Sequence, residues 1–175
     1  IGGVLGGSGY IKNCYSSATV IDQIANNAGK AGGIIGRVNG NTSGSSIENC
    51  YTSGDINAIG GGNAGGIVGK VDGGKLVIKN CIAWNSMLVS TDKAKVGRIV
   101  GGTANATYEN CYAYDGMILK AGEATFTVSD ETSPSGSSFQ GVAKSANELK
   151  NTVINWDSSL WKEGGNGYPV FKWSK

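Results

Sequence analysis

Ile47-Glu48-Asn49-Cys50-Tyr51 is the stretch whose reading decides the fold, because the chain repeats it three more times. The other copies are Ile11-Lys12-Asn13-Cys14-Tyr15, Ile78-Lys79-Asn80-Cys81-Ile82 and Tyr108-Glu109-Asn110-Cys111-Tyr112. The cysteines at 14, 50, 81 and 111 are 36, 31 and 30 residues apart. Ahead of each copy runs a second phrase: Gly3-Val4-Leu5-Gly6, Gly33-Ile34-Ile35-Gly36, Gly66-Ile67-Val68-Gly69 and Arg98-Ile99-Val100-Gly101. A period of about 20–50 residues marks a repeat architecture, in which one copy cannot bury its own apolar face and must stack on its neighbours.

The residues between the phrases select the kind of repeat. Gly33-Ile34-Ile35-Gly36 reads as a short strand closely approached at both ends. Polar glycine turns follow, Asn39-Gly40-Asn41 in one copy and Asp72-Gly73-Gly74 in the next. Further extended stretches lie at residues 55–59 and 86–90. Two or three strands per repeat with no helical period predict an all-β fold, a parallel β-solenoid (single-stranded β-helix) of about four coils. Residues 1–120 are assigned to the solenoid, and 121–175 to a polar connector, a short helix and a C-terminal aromatic cap packed on it.

Within the phrase, Ile47 inward and Glu48 outward would leave Asn49 inside and Cys50 outside, the wrong way round for both types. A bend at the asparagine, which tolerates the left-handed conformation, returns cysteine to the interior and sends tyrosine out. Stacked bends predict a structural ladder of Asn13, Asn49, Asn80 and Asn110, with Cys14, Cys50, Cys81 and Cys111 as a column of free thiols beside it. The charged position reads Lys12, Glu48, Lys79, Glu109, so in-register coils set opposite charges over each other.

A capping box at Ser145-Ala146-Asn147-Glu148 predicts a short helix through Leu149. Trp156, Trp161 and Tyr168-Pro169-Val170-Phe171-Lys172-Trp173 then read as aromatic anchors plugging the final coil, with a sugar-binding platform as the alternative.

Composition narrows the function. The chain has 175 residues, 30 of them glycine, no histidine and a net charge of +2. Charges of both signs are interspersed, so no nucleic-acid footprint is present. No apolar run reaches the length of a membrane span. Without histidine or close-spaced cysteines no metal site is expected, and neither a cofactor motif nor a nucleophile–base arrangement can be assembled. The expectation is a non-enzymatic protein with no catalytic, cofactor or metal residues. Tyr15, Tyr51 and Tyr112 share one column, interrupted by Ile82, with Trp84 beside the interruption. An exposed aromatic column of this kind would stack on a glycan or meet a surface protein, so these four are the candidate ligand-binding residues. The chain begins at Ile1 inside a repeat phrase, which is read as a mature or shortened product of an exported protein.

The pairing of Gly65-Gly66-Ile67-Val68-Gly69 with Ile47-Glu48-Asn49-Cys50-Tyr51-Thr52-Ser53-Gly54 resembles the GLUG-motif repeats of bacterial surface and secreted proteins. The closing Tyr168–Trp173 run is similar to the aromatic end of such proteins from gut Bacteroidetes. Ile82 and Arg98 depart from the pattern. The resemblance implies an extracellular or cell-surface, adhesin-like solenoid. Such repeats also occur in the non-catalytic part of immunoglobulin-A-cleaving metallopeptidases, whose zinc-binding His-Glu-x-x-His motif is missing here. A passive spacer and a polysaccharide-cleaving β-helix are the competing readings.

Overall fold

Five short strands make one coil, where the sequence predicts two or three. Ile35–Val38, Ser45–Glu48, Tyr51–Thr52, Ile56–Ala58 and Asn63–Gly65 follow one another before the next coil begins at Val68. A bend at Gly33-Ile34 leaves only Ile35-Gly36 of the glycine–isoleucine phrase in a strand, Ile35–Val38. The computed structural model describes residues 4–5, 8–26, 28–39, 44–73, 76–102, 106–133 and 136–174. Residues 40–41 of one predicted turn, Gly74 of the other, and Gly3 and Gly6 of the first phrase lie outside the described residues.

Equivalent strands stack in parallel, and the chain is an all-β parallel solenoid. The phrase sheet contains Tyr10–Lys12, Ser45–Glu48, Leu76–Lys79 and Ala106–Glu109. Its register sets Ile11 on Ile47, Ile47 on Ile78 and Ile78 on Tyr108. The tyrosine sheet stacks Tyr15–Ser16, Tyr51–Thr52, Ile82–Ala83 and Tyr112–Tyr114. A third, the isoleucine sheet, stacks Val20–Asp22, Ile56–Ala58, Met87–Ser90 and Ile118–Ala121.

The corner between phrase and tyrosine sheets is the asparagine. Asn13, Asn49, Asn80 and Asn110 have φ of 53°, 52°, 50° and 49°. This left-handed turn breaks the alternation of the strand, so Cys50 and Cys81 are buried with Ile47 and Ile78 while Tyr51 points away from that core. Each asparagine amide is bonded to the coil before it: Asn49 Nδ2 donates to Asn13 Oδ1 (3.3 Å), Asn80 to Asn49 (3.1 Å) and Asn110 to Asn80 (3.2 Å). The charge column is in register as well, with ion pairs Lys12–Glu48 (3.0 Å) and Lys79–Glu109 (2.9 Å). These are exposed pairs, worth no more than about 1 kcal/mol each, so they select register more than they add stability.

All four cysteines are free thiols. Cys81 Sγ donates to Ile47 O and Cys111 Sγ to Ile78 O of the preceding coil, both at 3.4 Å, while Cys14 Sγ donates to Lys12 O of its own coil (3.3 Å). Burial pushes the Cys111 thiol up to about 12, which removes the reactive thiolate at neutral pH. A thiol reagent at pH 8 should therefore label the native protein slowly and chiefly at half-buried Cys14, and all four residues after denaturation. Rapid native labelling of Cys50, Cys81 and Cys111 would contradict the packing.

The solenoid sheets continue past residue 120. Ala124–Phe126 turns back antiparallel on the isoleucine sheet, and Val142–Lys144 adds a fifth strand to the tyrosine sheet. Arg98, the odd residue of its phrase, explains how the connector is held. At the equivalent Gly66 a Cβ would run into the Ala83 and Asn85 side chains and the Arg98 carbonyl of the next coil. In the last coil, connector replaces that neighbour, and Arg98 is buried with its guanidinium donating to Gln140 O (3.1 Å), Gly141 O (2.8 Å) and Asp130 Oδ1 (2.8 Å).

The bond from Arg98 holds the Asp130 carboxyl below its usual range. A depressed folded-state value means stabilisation that is complete above the ordinary carboxyl range near 4 and is lost as pH falls through the folded value. The stability difference between the protein and Asp130→Asn, measured by urea unfolding, should thus be constant at neutral and mildly acidic pH and shrink as pH falls below the ordinary carboxyl range.

The helix Ala146–Trp156 opens on the expected capping box, with Glu148 N donating to Ser145 Oγ (3.4 Å) and Ser145 N to Glu148 Oε2 (3.0 Å). It runs well beyond Leu149 because Leu149 and Val153 share one buried face. A two-stranded antiparallel ribbon, Trp161–Glu163 with Pro169–Phe171, follows.

Candidate functional site

Tyr15, Tyr51, Trp84 and Tyr112, the residues expected to present an exposed aromatic column, lie under the C-terminal segment. They form one apolar cluster with Leu149, Val153, Trp161 and Phe171. Tyr51 is 1% exposed and Trp84 5% exposed. The rings are in direct register: Tyr15 stacks on Tyr51 (5.3 Å), Tyr51 meets Trp161 (5.8 Å) and Trp84 meets Tyr168 (4.8 Å). Lys144 Nζ sits over the Tyr112 ring at 3.8 Å, and the Tyr51 hydroxyl donates to Pro169 O. The column is therefore not the exposed one expected: Tyr51 and Trp84 are buried, and Tyr15 and Tyr112 are half-buried. An apolar, aromatic sheet face is equally suited to a ligand or to a chain segment, and here the protein's own tail covers it.

The aromatic tail also sits elsewhere than predicted. Rather than plugging the final coil, Trp161 and Phe171 lie along the flank of the solenoid, reaching back to Tyr15 in the first coil. The end of the stack is covered instead by Phe139, whose ring meets Tyr108 at 4.1 Å, and by the added strand Val142–Lys144. Tyr51→Phe should lower stability by about 1 kcal/mol, the net worth of one hydrogen bond, because the ring packing remains. A much larger loss would mean that the hydroxyl organises the tail.

With the tyrosine face closed, the isoleucine sheet presents the open extended surface. Its register points Val20, Ile56, Leu88 and Leu119 inward, all packed in one cluster. The alternate positions Ile21, Asn57, Val89 and Lys120 face outward. Ile21 is 59% and Ile118 47% exposed on its strands, and Ile24 (60%) and Ile59 (49%) are exposed in the turns leaving it. Four of the six large apolar side chains exposed among the described residues therefore belong to this sheet and its turns. Exposed large apolar side chains concentrated on one sheet and its turns mark it as a candidate interaction surface.

A 620 Å³ cleft opens beside this sheet, between the Asp92–Lys93 turn and the connector, with Phe126, Ser137 and Glu131 among its walls. Two of its acids already accept backbone bonds: Asp92 Oδ1 from Ala94 N (2.9 Å) and Glu131 Oε2 from Gln140 N (2.9 Å). Among the described residues no three His, Cys, Asp or Glu side chains are grouped so as to hold a metal, and no helix is long and apolar enough to cross a membrane. Neither the isoleucine surface nor the cleft was anticipated from the sequence. The alternation in Val20-Ile21-Asp22 and Met87-Leu88-Val89-Ser90 is the signal that could have located the first.

No family model and no curated protein matches the chain. Among solved structures, it is similar to the crystal structure of a "putative immunoglobulin A1 protease" from Bacteroides ovatus, with 49% sequence identity and a TM-score of 0.86 over 95% of this chain. The match spans 48% of that protein, so the chain corresponds to about half its length.

Proposed function

We propose that this chain is a non-enzymatic recognition module of an exported, adhesin-like surface protein, and that it contacts a host glycoprotein through the isoleucine sheet. The observation that carries this reading is the exposure of Ile21, Ile24, Ile59 and Ile118 on and beside one open sheet. Burying such side chains against a partner is favourable by roughly 25 cal/mol per Å² of apolar area. The likeness to half of a protein named for action on immunoglobulin A1, itself a glycoprotein, supports a ligand of that class. The GLUG-like phrases argue in the same direction, towards display outside the cell. Apolar isoleucines suit the polypeptide part of a glycoprotein better than its sugars, which favour aromatic platforms.

The test is binding of the purified chain to immobilised immunoglobulin A, before and after deglycosylation, beside an Ile21→Lys, Ile118→Lys double variant. Binding that survives deglycosylation and falls at least about tenfold in the double variant is expected. Binding unaffected by the two lysines, or absent from immunoglobulin and from a panel of mucins, would overturn the proposal. The polysaccharide-cleaving alternative has the Asp92–Glu131 cleft as its place to act. Release of reducing ends from a polysaccharide panel, abolished by Glu131→Gln, would favour it.

A further inference from the structure

Three cations crowd one face of the solenoid around a single shared carboxylate. A fourth sheet stacks Val4–Leu5, Ile35–Val38 and Val68–Val71, and its register sets Arg37 directly on Lys70. Alternation with buried Gly36, Val38, Gly69 and Val71 turns both charged side chains outward. Where the phrase sheet stacks lysine on glutamate, this sheet stacks like on like, an arrangement that is destabilising by itself. Asp72 holds the pair together, its Oδ2 paired with Arg37 Nε and its Oδ1 with Lys70 Nζ. Glycine brings in the third cation. Gly69 packs so closely on Lys30 that a Cβ there would lie 2.8 Å from the Lys30 carbonyl carbon. Lys30 Nζ donates to Ala28 O and Gly29 O, both at 2.9 Å. Burial, then the charge of Lys70, hold the Lys30 ammonium below its ordinary value against the opposing pull of Asp72.

Positive charge is in surplus here. Besides Asp72, the carboxylate acting on Lys30 is Asp22, whose Oδ1 accepts from Ile24 N (3.1 Å). Residues 27, 40–43, 74–75 and 103–105 adjoin these strands in sequence and lie outside the described residues; they include no aspartate or glutamate and one further lysine. Arg37 meets Asp72 through Nε, so its terminal Nη pair is not part of that contact, and its side chain is 43% exposed. A guanidinium fork beside ammonium groups matches two oxygens of a carboxylate or sulfate. The cluster also adjoins the isoleucine surface. Asp22 ends the first strand of that sheet, and its carboxylate lies against Gly29, where a Cβ would overlap it. Exposed Ile21 and Ile24 flank Asp22 in the chain.

We propose that Lys30, Arg37 and Lys70 form an oxyanion-binding site, which takes a carboxylate or sulfate of the glycoprotein held on the adjoining isoleucine sheet. The identity of the partner rests on the function proposed above; the preference for an oxyanion does not. Asp72 is the internal model for the ligand, since its own carboxylate already bridges two of the three cations. Charge at this flank gives the apolar surface a direction, because an acidic group on the partner is admitted at one side of it only.

The test follows the ¹⁵N-labelled chain by nuclear magnetic resonance as sodium sulfate is added, beside sodium chloride at matched ionic strength to control for screening. Sulfate should give saturable shifts of the Arg37 and Lys70 amides that chloride does not. Arg37→Gln should weaken sulfate binding at least about fivefold, the loss expected for one hydrogen bond to a charged group. Asp72→Asn removes the internal competitor and should tighten binding at least about threefold. Both variants are checked for folding by circular dichroism. Sialyllactose and the peptide acetyl-Asp-Gly-Asp-amide, titrated in the same way beside lactose, separate an acidic sugar from an acidic side chain as the source of the group. Shifts with sulfate but with neither of these would mark an adventitious ion only and overturn the site. So would shifts shared by chloride, or binding unchanged in Arg37→Gln. Saturable binding of the sugar or the peptide by a chain that fails to bind immunoglobulin A would uphold the site and overturn the glycoprotein reading. Immunoglobulin binding without any such shifts would overturn the site and leave that reading standing.

Discussion

Gly65→Ala should fail to give a folded solenoid, or fold with a loss of about 3 kcal/mol or more, the upper range for overpacking. A Cβ at Gly65 would lie inside the van der Waals envelope of the Val68 carbonyl and 2.6 Å from Gly101 N in the following coil. Both are backbone atoms held by the stacked sheets, so neither can swing aside as a side-chain tip would. The equivalent glycines of the adjoining coils, Gly32 and Gly97, meet Ile35 O and Val100 O in the same way. The residue marks a tight corner common to three coils. Urea denaturation of Gly65→Ala beside Gly136→Ala, where a Cβ meets nothing within 4 Å, checks the claim. Equal stability of the two variants would show that the corner can relax.

Asn80→Ala should cost about 3–4 kcal/mol. The substitution removes two ladder bonds, to Asn49 and from Asn110, each worth about 1 kcal/mol net. It also forces alanine into φ of 50°, which adds about 1–2 kcal/mol for a residue with a Cβ and no local hydrogen bond. Asn80→Gly separates the two contributions. Glycine adopts this conformation freely, so its loss should be about 2 kcal/mol, near that of the two bonds alone. Should the glycine and alanine variants prove equally unstable, backbone conformation plays no part and the ladder bonds carry the whole effect.

Much of this architecture is legible in the residues because each coil sits on a copy of itself. An isoleucine over an isoleucine, a lysine over a glutamate and an asparagine amide over an asparagine carbonyl are all satisfied only in register. The phrase therefore specifies its own neighbour. The asparagine corner could be deduced from one conflict, a polar residue falling inside and a thiol outside under strict alternation. Strand count was less legible. Two- and three-residue strands such as Tyr51–Thr52 are too short for alternation to show, and the bend at Gly33-Ile34 divides a run that reads as one strand.

The candidate site was legible in the wrong sense. Tyr15, Tyr51 and Tyr112 do form a column, but a column's exposure depends on what else in the chain packs on it. Nothing in residues 145–174 specifies which of several apolar faces they will cover. The outward positions of the isoleucine sheet mix Ile21, Asn57, Val89 and Lys120, and the aromatic segment packs on the tyrosine sheet instead.

By itself, the sequence determined the parallel stacked coils, their register, the asparagine corners, the free thiols and the capped helix. Each of these follows from short-range chemistry repeated at a fixed period. Tertiary structure alone decided which surface is left for a partner. The aromatic tail folds along the flank instead of over the end, and Arg98 ties the connector across the last coil. These outcomes come from contacts between segments far apart in the chain, as when the Tyr51 hydroxyl bonds Pro169 118 residues away, and no local pattern encodes such a meeting.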